Sequence, residues 1–209
     1  MKTNRRIAEF LLQSKAIILE PANPFTWASG WKSPIYCDNR KTLSYPEIRS
    51  YIRDAYAACI RDNFGQAEVI AGVATGAIAQ GALVADVLEL PFIYVRSSAK
   101  GHGMQNLIEG RYSPGQKVVV VEDLISTGGS SMKAVEALRE AGCEVVGMVA
   151  TFTYGFAAAM QTFSENKLKV LCLTDYETML DQALESSYIR KEQLPLLQKW
   201  REDPENWKN

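Results

Sequence analysis

Histidine is almost missing from this chain: His102 stands alone among 209 residues. A metal site built on paired histidines is therefore not expected. Cysteine is sparse as well. Cys37, Cys59, Cys143 and Cys172 lie far apart and never form a C-x-x-C spacing. Neither a disulfide framework nor a zinc knuckle is expected from that spacing, and the apolar surroundings of Cys59, Cys143 and Cys172 mark them as small core residues of a reducing, cytoplasmic setting. An excess of positive charge is also lacking, with 23 Lys+Arg against 24 Asp+Glu. Association with nucleic acid depends on neutralising phosphates, so this balance argues against a nucleic-acid partner. No apolar stretch approaches the roughly 20 residues that cross a bilayer, so no membrane partner is expected. Met1 to Leu12 carries basic residues and one short apolar run, Phe10-Leu11-Leu12, with no small-residue cleavage site behind it; a signal peptide is not expected.

What is present is enough for one sizeable core and short for two, so a single domain over residues 1–209 is expected. Thr3 reads as the N-cap of a first helix, with Ile7, Phe10, Leu11 and Ser14 near one face. Ala16 to Arg40 holds Pro21, Pro24, Gly30 and Pro34 among aromatic residues and reads as a small irregular or hairpin subdomain. Pro46 opens a helix to about Asn63. Strands follow at Glu68–Ala71, Phe92–Val95, Lys117–Val121, Glu144–Phe152 and Leu168–Leu173, alternating with helices at Ile78–Leu88, Ser130–Ala141 and Phe156–Ser164. Ser97 to Arg111 is polar and aperiodic, which predicts a mobile loop, and helical segments fill the C-terminus around Trp200 and Trp207. Alternating strands and helices predict an α/β fold: a central parallel sheet flanked by helices, with right-handed crossovers.

Ligands of such sheets bind beyond the carboxyl ends of the strands. The sharpest feature of the chain lies at such an end, in the thirteen residues Val118-Val119-Val120-Val121-Glu122-Asp123-Leu124-Ile125-Ser126-Thr127-Gly128-Gly129-Ser130. A valine strand, buried on both faces by its composition, delivers two adjacent carboxylates. A turn of hydroxyls and glycines then leads into a helix N-terminus, where backbone N–H groups and the helix field favour an anion such as phosphate. Carboxylates one step earlier suit the vicinal hydroxyls of a ribose. No Gly-Lys-Ser/Thr closes the turn and no G-x-G-x-x-G is present, so it is neither a Walker loop nor a dinucleotide fingerprint. A Ser-Thr-Gly-Gly turn alone is an ordinary way to start a helix. Paired like charges at the end of a four-valine strand are not needed for that.

This stretch resembles the 5-phosphoribosyl-1-pyrophosphate (PRPP) motif of the type I phosphoribosyltransferases. The resemblance implies that fold, with a small N-terminal hood of about residues 1–44 plus a C-terminal contribution over a core of about 45–175. It also implies that Glu122 and Asp123 hold the ribose hydroxyls and that Leu124, Ile125, Ser126, Thr127, Gly128, Gly129 and Ser130 hold the 5-phosphate. The segment Arg96-Ser97-Ser98-Ala99-Lys100-Gly101-His102-Gly103 resembles the catalytic loop of the orotate phosphoribosyltransferases. By that likeness Arg96, Lys100 and His102 contact the pyrophosphate of PRPP; Lys100, His102 and Asp123 are the catalytic residues; and the loop enters the neighbouring subunit of a homodimer. The implied reaction is transfer of the 5-phosphoribosyl group from PRPP to orotate, with Mg²⁺ carried mainly by PRPP and no dedicated protein cage. The alternatives are a phosphoribosyltransferase for another base and a non-catalytic PRPP-sensing regulator.

A third likeness lies in Phe25-Thr26-Trp27-Ala28-Ser29-Gly30-Trp31-Lys32-Ser33-Pro34-Ile35-Tyr36-Cys37-Asp38, which resembles the family element that covers the base. The chain departs from the family at three points. Ala28 stands where many members carry a lysine, the turn Gly72-Val73-Ala74-Thr75-Gly76 carries no lysine, and Thr153-Tyr154-Gly155-Phe156 lacks the arginine that many members set against the orotate carboxylate. Ser126 is the position carried over as a contact to orotate, with Lys32 as nearby positive charge.

Overall fold

The computed structural model describes residues 2–27, 29–98 and 107–207. Helix α1 (Thr3–Gln13) buries Ile7, Phe10 and Leu11 along one stripe. Its N-cap position is taken by Lys2, without a side-chain cap, so Thr3 lies inside the helix rather than before it. Four short strands follow: β1 (Ile17–Leu19), β2 (Phe25–Thr26), β3 (Lys32–Ser33) and β4 (Ile35–Cys37). β1 pairs antiparallel with β4, and β2 with β3, making the hairpin subdomain that the proline-rich segment predicts. A 3-10 turn over Asn39–Ser44 then leads to α2 (Pro46–Phe64). Pro46 sits in its first turn, where a missing N–H removes no intrahelical bond.

The core runs through β5 (Val69–Val73), α3 (Ile78–Leu88), β6 (Phe92–Val95), β7 (Ile108–Glu109), β8 (Lys117–Ile125), α4 (Gly129–Glu140), β9 (Glu144–Thr153), α5 (Ala157–Glu165), β10 (Val170–Asp175), α6 (Tyr176–Glu185) and α7 (Leu194–Glu202). One six-stranded sheet has the order β10-β9-β8-β5-β6-β7. Every pairing in it is parallel except that of β6 with β7. The aperiodic stretch 97–111 is thus not all loop: Ile108, buried against the core, and Glu109 return as an edge strand. Two residues are too few to show a period of two in sequence.

Strand β8 shows why the valines run together. Val119 and Val121 pack into the layer that holds α1, α2, α3 and α6, whereas Val118 and Val120 pack into the layer that holds α4 and α5. Both faces of the strand are covered by helices, so no position between Val118 and Val121 can be polar without a buried partner.

The order of the strands also fixes where a ligand can enter. From β5 the chain crosses to β6 on one side, then to β8 on the other side of β5. The helices that follow β5 and β8 therefore diverge and leave a crevice between the carboxyl ends of these two strands. At the far end of the chain, Trp200 of α7 is fully buried and ties the hairpins to the core. Its ring meets Trp27 edge-on at 5.5 Å and Tyr154 at 5.6 Å, and its indole N–H donates to the Lys32 carbonyl at 3.1 Å. Among the described residues, no helix is long and apolar enough to cross a membrane.

Candidate active site

The pleat of β8 sends adjacent side chains to opposite faces. Glu122 falls on the side of Val118 and Val120, facing α4, and is only 3% exposed. Its Oε2 accepts from the Ser131 hydroxyl at 2.8 Å, and its Oε1 accepts from the Asp123 backbone N–H at 3.0 Å. The buried Tyr56 hydroxyl donates to the Glu122 carbonyl and lies 2.7 Å from Thr151 Oγ1. Asp123 falls on the other face and is half-buried. The Asn39 side-chain N–H donates to the Asp123 carbonyl at 2.5 Å, which ties the end of β8 to the turn after β4. Gly76, in the turn after β5, leaves room for the Asp123 carboxylate; a Cβ there would collide with it.

Burial pushes the Glu122 carboxyl well above the ordinary carboxylate range, and the charge of Asp123 pushes it the same way. The Ser131 hydroxyl opposes that rise without cancelling it. Burial raises Asp123 too, against hydrogen bonds from Glu122 and the backbone and against the field of Arg40. Burial thus disfavours the charged form of both acids, and a cationic or hydroxyl-rich ligand that reached them would favour it.

The turn Ser126-Thr127-Gly128-Gly129-Ser130 begins where β8 ends. Gly128 is the N-cap of α4 with φ +81°, a conformation that disfavours a side chain, and a Cβ there would press on the Phe163 ring of α5 at 2.9 Å. No side chain caps α4, and a Cβ built on Gly129 would meet only open space. Thr127, Gly129 and Ser130 are exposed. The first turn of α4 is thus open to a ligand, with the positive end of the helix dipole behind it, a setting that favours anions. Ile125 is buried and Leu124 half-buried, so these two residues anchor the turn to the core.

Beside the turn lies a cavity of about 240 Å³. Thr26, Trp27, Tyr36 and Cys37 line it from the hairpins, and Ser126 and Tyr154 from the core. Burial raises the Cys37 thiol well above its usual value, so it faces the cavity as a neutral, weakly polar group. Arg96, at the end of β6, forms an ion pair with Glu109 at 3.4 Å, while its backbone N–H donates to the Leu107 carbonyl at 2.7 Å. Both contacts fasten the two ends of the segment between them. Lys100 and His102 lie outside the described residues, as does Ala28. The structure therefore brings Glu122, Asp123 and residues 124–130 to one crevice, sets Ser126 at the mouth of the aromatic cavity, and places Arg96 at the root of the neighbouring segment. Asn39, Tyr56, Gly76 and Ser131 were not legible as site residues in the sequence. Of these, only Ser131 had a local signal, as a hydroxyl in the first turn of the helix that follows the motif.

Comparison with known proteins places this geometry. Residues 43–176 match the phosphoribosyl transferase domain. The chain is 62% identical to the orotate phosphoribosyltransferase of Phocaeicola vulgatus over 208 residues, covering 99% of this chain and 98% of that protein. It is 63% identical to that of Bacteroides fragilis over 203 residues, covering 97% of this chain and 96% of the other. Among solved structures, the orotate phosphoribosyltransferase of Aeropyrum pernix superposes with a TM-score of 0.77 at 27% identity, over 88% of this chain and 99% of its own.

Proposed function

We infer the reaction from a chain that belongs to the phosphoribosyl transferase family and, within it, to the orotate phosphoribosyltransferases. The protein is a pentosyltransferase of pyrimidine biosynthesis. It transfers the 5-phosphoribosyl group of PRPP to orotate, giving orotidine 5-monophosphate and pyrophosphate. The observation that carries this reading is the coincidence, at the switch point of the sheet, of an acid pair, an uncapped helix start and an aromatic cavity of about 240 Å³.

The roles of the residues follow from where they sit. The turn 124–130 takes the 5-phosphate on the N–H groups of α4. Asp123 faces the crevice and takes the ribose diol. Glu122 joins it by exchanging its Ser131 hydrogen bond for one to a ribose hydroxyl. Ser126 contacts orotate in the cavity between Tyr36 and Tyr154. Arg96, Lys100 and His102 bind the pyrophosphate, and Lys100 stabilises the charge that develops as the C1–O bond breaks. As pyrophosphate leaves, positive charge grows on the ribose ring, and the nearby carboxylates favour it; the base nitrogen then attacks from the opposite face. The protein positions and neutralises rather than forming a covalent intermediate.

Mg²⁺ fits this donor set. Glu122 and Asp123, the adjacent acids at the end of β8, would share an ion brought by the substrate. When bound, the ion neutralises pyrophosphate and ribose oxygens. We also propose a cytoplasmic homodimer in which the segment around Lys100 serves the neighbouring site.

The test is release of pyrophosphate from PRPP and Mg²⁺ with orotate, adenine, hypoxanthine and uracil in separate reactions. Orotate alone is expected to support rapid release. Equal or faster release with a purine would reassign the base.

A further inference from the structure

We propose that Lys32 is the cation that receives the carboxylate of orotate. The inference rests on the cavity beside Ser126 being the base site. Orotate is an anion, and an unpaired carboxylate in an aromatic slot loses its hydration without replacement. Yet no charged residue lines the cavity among the described residues; its polar groups there are two hydroxyl side chains, a thiol, two phenols and the Trp27 indole N–H, which donates to the Ile35 carbonyl at 3.1 Å.

Lys32 stands next to that lining. It pairs across β2–β3 with Thr26, and cross-strand partners project to the same face of a hairpin. Its Nζ donates to Thr26 Oγ1 at 2.7 Å. The backbone beneath it is clamped, because the Trp200 indole N–H donates to the Lys32 carbonyl at 3.1 Å and the Trp27 N–H donates to the Trp31 carbonyl at 2.9 Å. The backbone is thus held while the side chain is exposed, and among the described residues the ammonium bonds a neutral hydroxyl and keeps two further donors.

The other cations nearby are committed. Arg40 grips Asp38 through two bonds of 2.7 and 3.1 Å. Lys41 donates to the Lys15 carbonyl at 3.2 Å and lies 6.0 Å from the Tyr36 ring centre. Arg201 pairs with Glu177 at 3.1 Å and donates to the Gly155 carbonyl at 3.3 Å, beside a different cavity. Among the described residues, neither Lys32 nor Lys41 forms an ion pair, but Lys41 is turned to the Lys15 carbonyl, whereas Lys32 is bonded to Thr26 of the cavity lining itself. Swinging the ammonium from Thr26 to a ligand carboxylate exchanges a neutral acceptor for an anionic one, and a bond in which both partners are charged is the stronger.

The experiment uses the full chain and its Lys32→Ala, Lys32→Arg and Lys41→Ala variants, with KM for orotate and for PRPP measured separately. Loss of one charged hydrogen bond predicts a rise of about ten- to a hundredfold in the orotate KM of Lys32→Ala, with little change in the PRPP KM. Lys32→Arg keeps most of the orotate affinity, and Lys41→Ala keeps all of it. Thermal melts check that each variant is folded. An unchanged orotate KM in Lys32→Ala, a matching rise in both KM values, or a larger effect in Lys41→Ala would overturn the assignment. Wild-type protein that released no pyrophosphate with orotate would remove the reading of the base site as well, so the two failures look different.

Discussion

Glu122 carries a conflict between stability and function. It is buried, it neighbours a second carboxylate, and its proton is held more tightly in the folded chain than in the unfolded one. A group of that kind contributes stability that is complete below its ordinary unfolded value and is lost as the pH rises through its folded value. The ligand-free protein therefore bears a penalty at neutral pH. Glu122→Gln keeps the shape, can accept from the Asp123 N–H and has no charge to desolvate. We expect it to stabilise the ligand-free protein by about 1–3 kcal/mol at neutral pH, with the gain shrinking toward zero as the pH falls to the ordinary glutamate range. At this chain length each kcal/mol corresponds to roughly 2–4 °C in Tm. kcat/KM should fall by about tenfold or more if Glu122 has the proposed role, since that role needs a carboxylate beside the developing charge. A variant less stable than wild type at pH 7 would show that the carboxylate is well paired in the free protein. The acid pair itself could be read from sequence, because a four-valine strand leaves no structural use for two charges at its end. Its supports could not. Tyr56, Asn39 and Ser131 reach Glu122 and Asp123 from 66, 84 and 9 positions away, and only the fold makes them neighbours.

Elements show the same division. The helix from Ile78 to Leu88 and the strand from Phe92 to Val95 coincide with their sequence expectation, since both have apolar patterns bounded by clear breaks. The central strand was expected to stop at Val121 but continues to Ile125, with Glu122 opposite Ala150 and Leu124 opposite Phe152. Charges usually end a buried strand; here the ladder carries the acids into the site. Helix α7 is the element whose purpose the sequence hides most, because Trp200 is an isolated aromatic near the end of the chain. In the fold its ring closes a cluster with Trp27, Tyr154, Phe156 and Tyr176 that holds the β2–β3 hairpin over the base cavity. Trp200→Ala should cost about 3–5 kcal/mol, as large buried aromatics do. Because the hairpin loses its anchor, the orotate KM should rise even in the fraction that stays folded, whereas Trp200→Phe should restore much of both. Thermal melts and steady-state kinetics at a temperature well below the transition would separate the two effects. An unaltered orotate KM in a folded Trp200→Ala protein would disconnect the hairpin from the base.

On the scale of the whole molecule, the proposed sharing of Lys100 between neighbouring subunits has a direct test. The chain leaves the sheet after Val95 and returns at Ile108, on strands β6 and β7 at one edge, while Asp123 lies on β8 with β5 and β6 between it and β7. Complementation distinguishes a segment that serves the neighbouring site from one that serves its own. Lys100→Ala and Asp123→Asn proteins should each be folded and nearly inactive. If the segment serves the neighbouring site, a subunit pair containing one of each has one site built from two intact halves and one from two damaged halves. Random mixing then restores about a quarter of wild-type turnover per site. If each subunit serves itself, every site in the mixture keeps one damaged residue and no activity appears. Recovery that develops at the rate of subunit exchange, and that vanishes on dilution below the dimer dissociation constant, would establish both the homodimer and the shared site. Inactivity in a mixture shown to contain mixed pairs would place Lys100 over its own subunit's crevice.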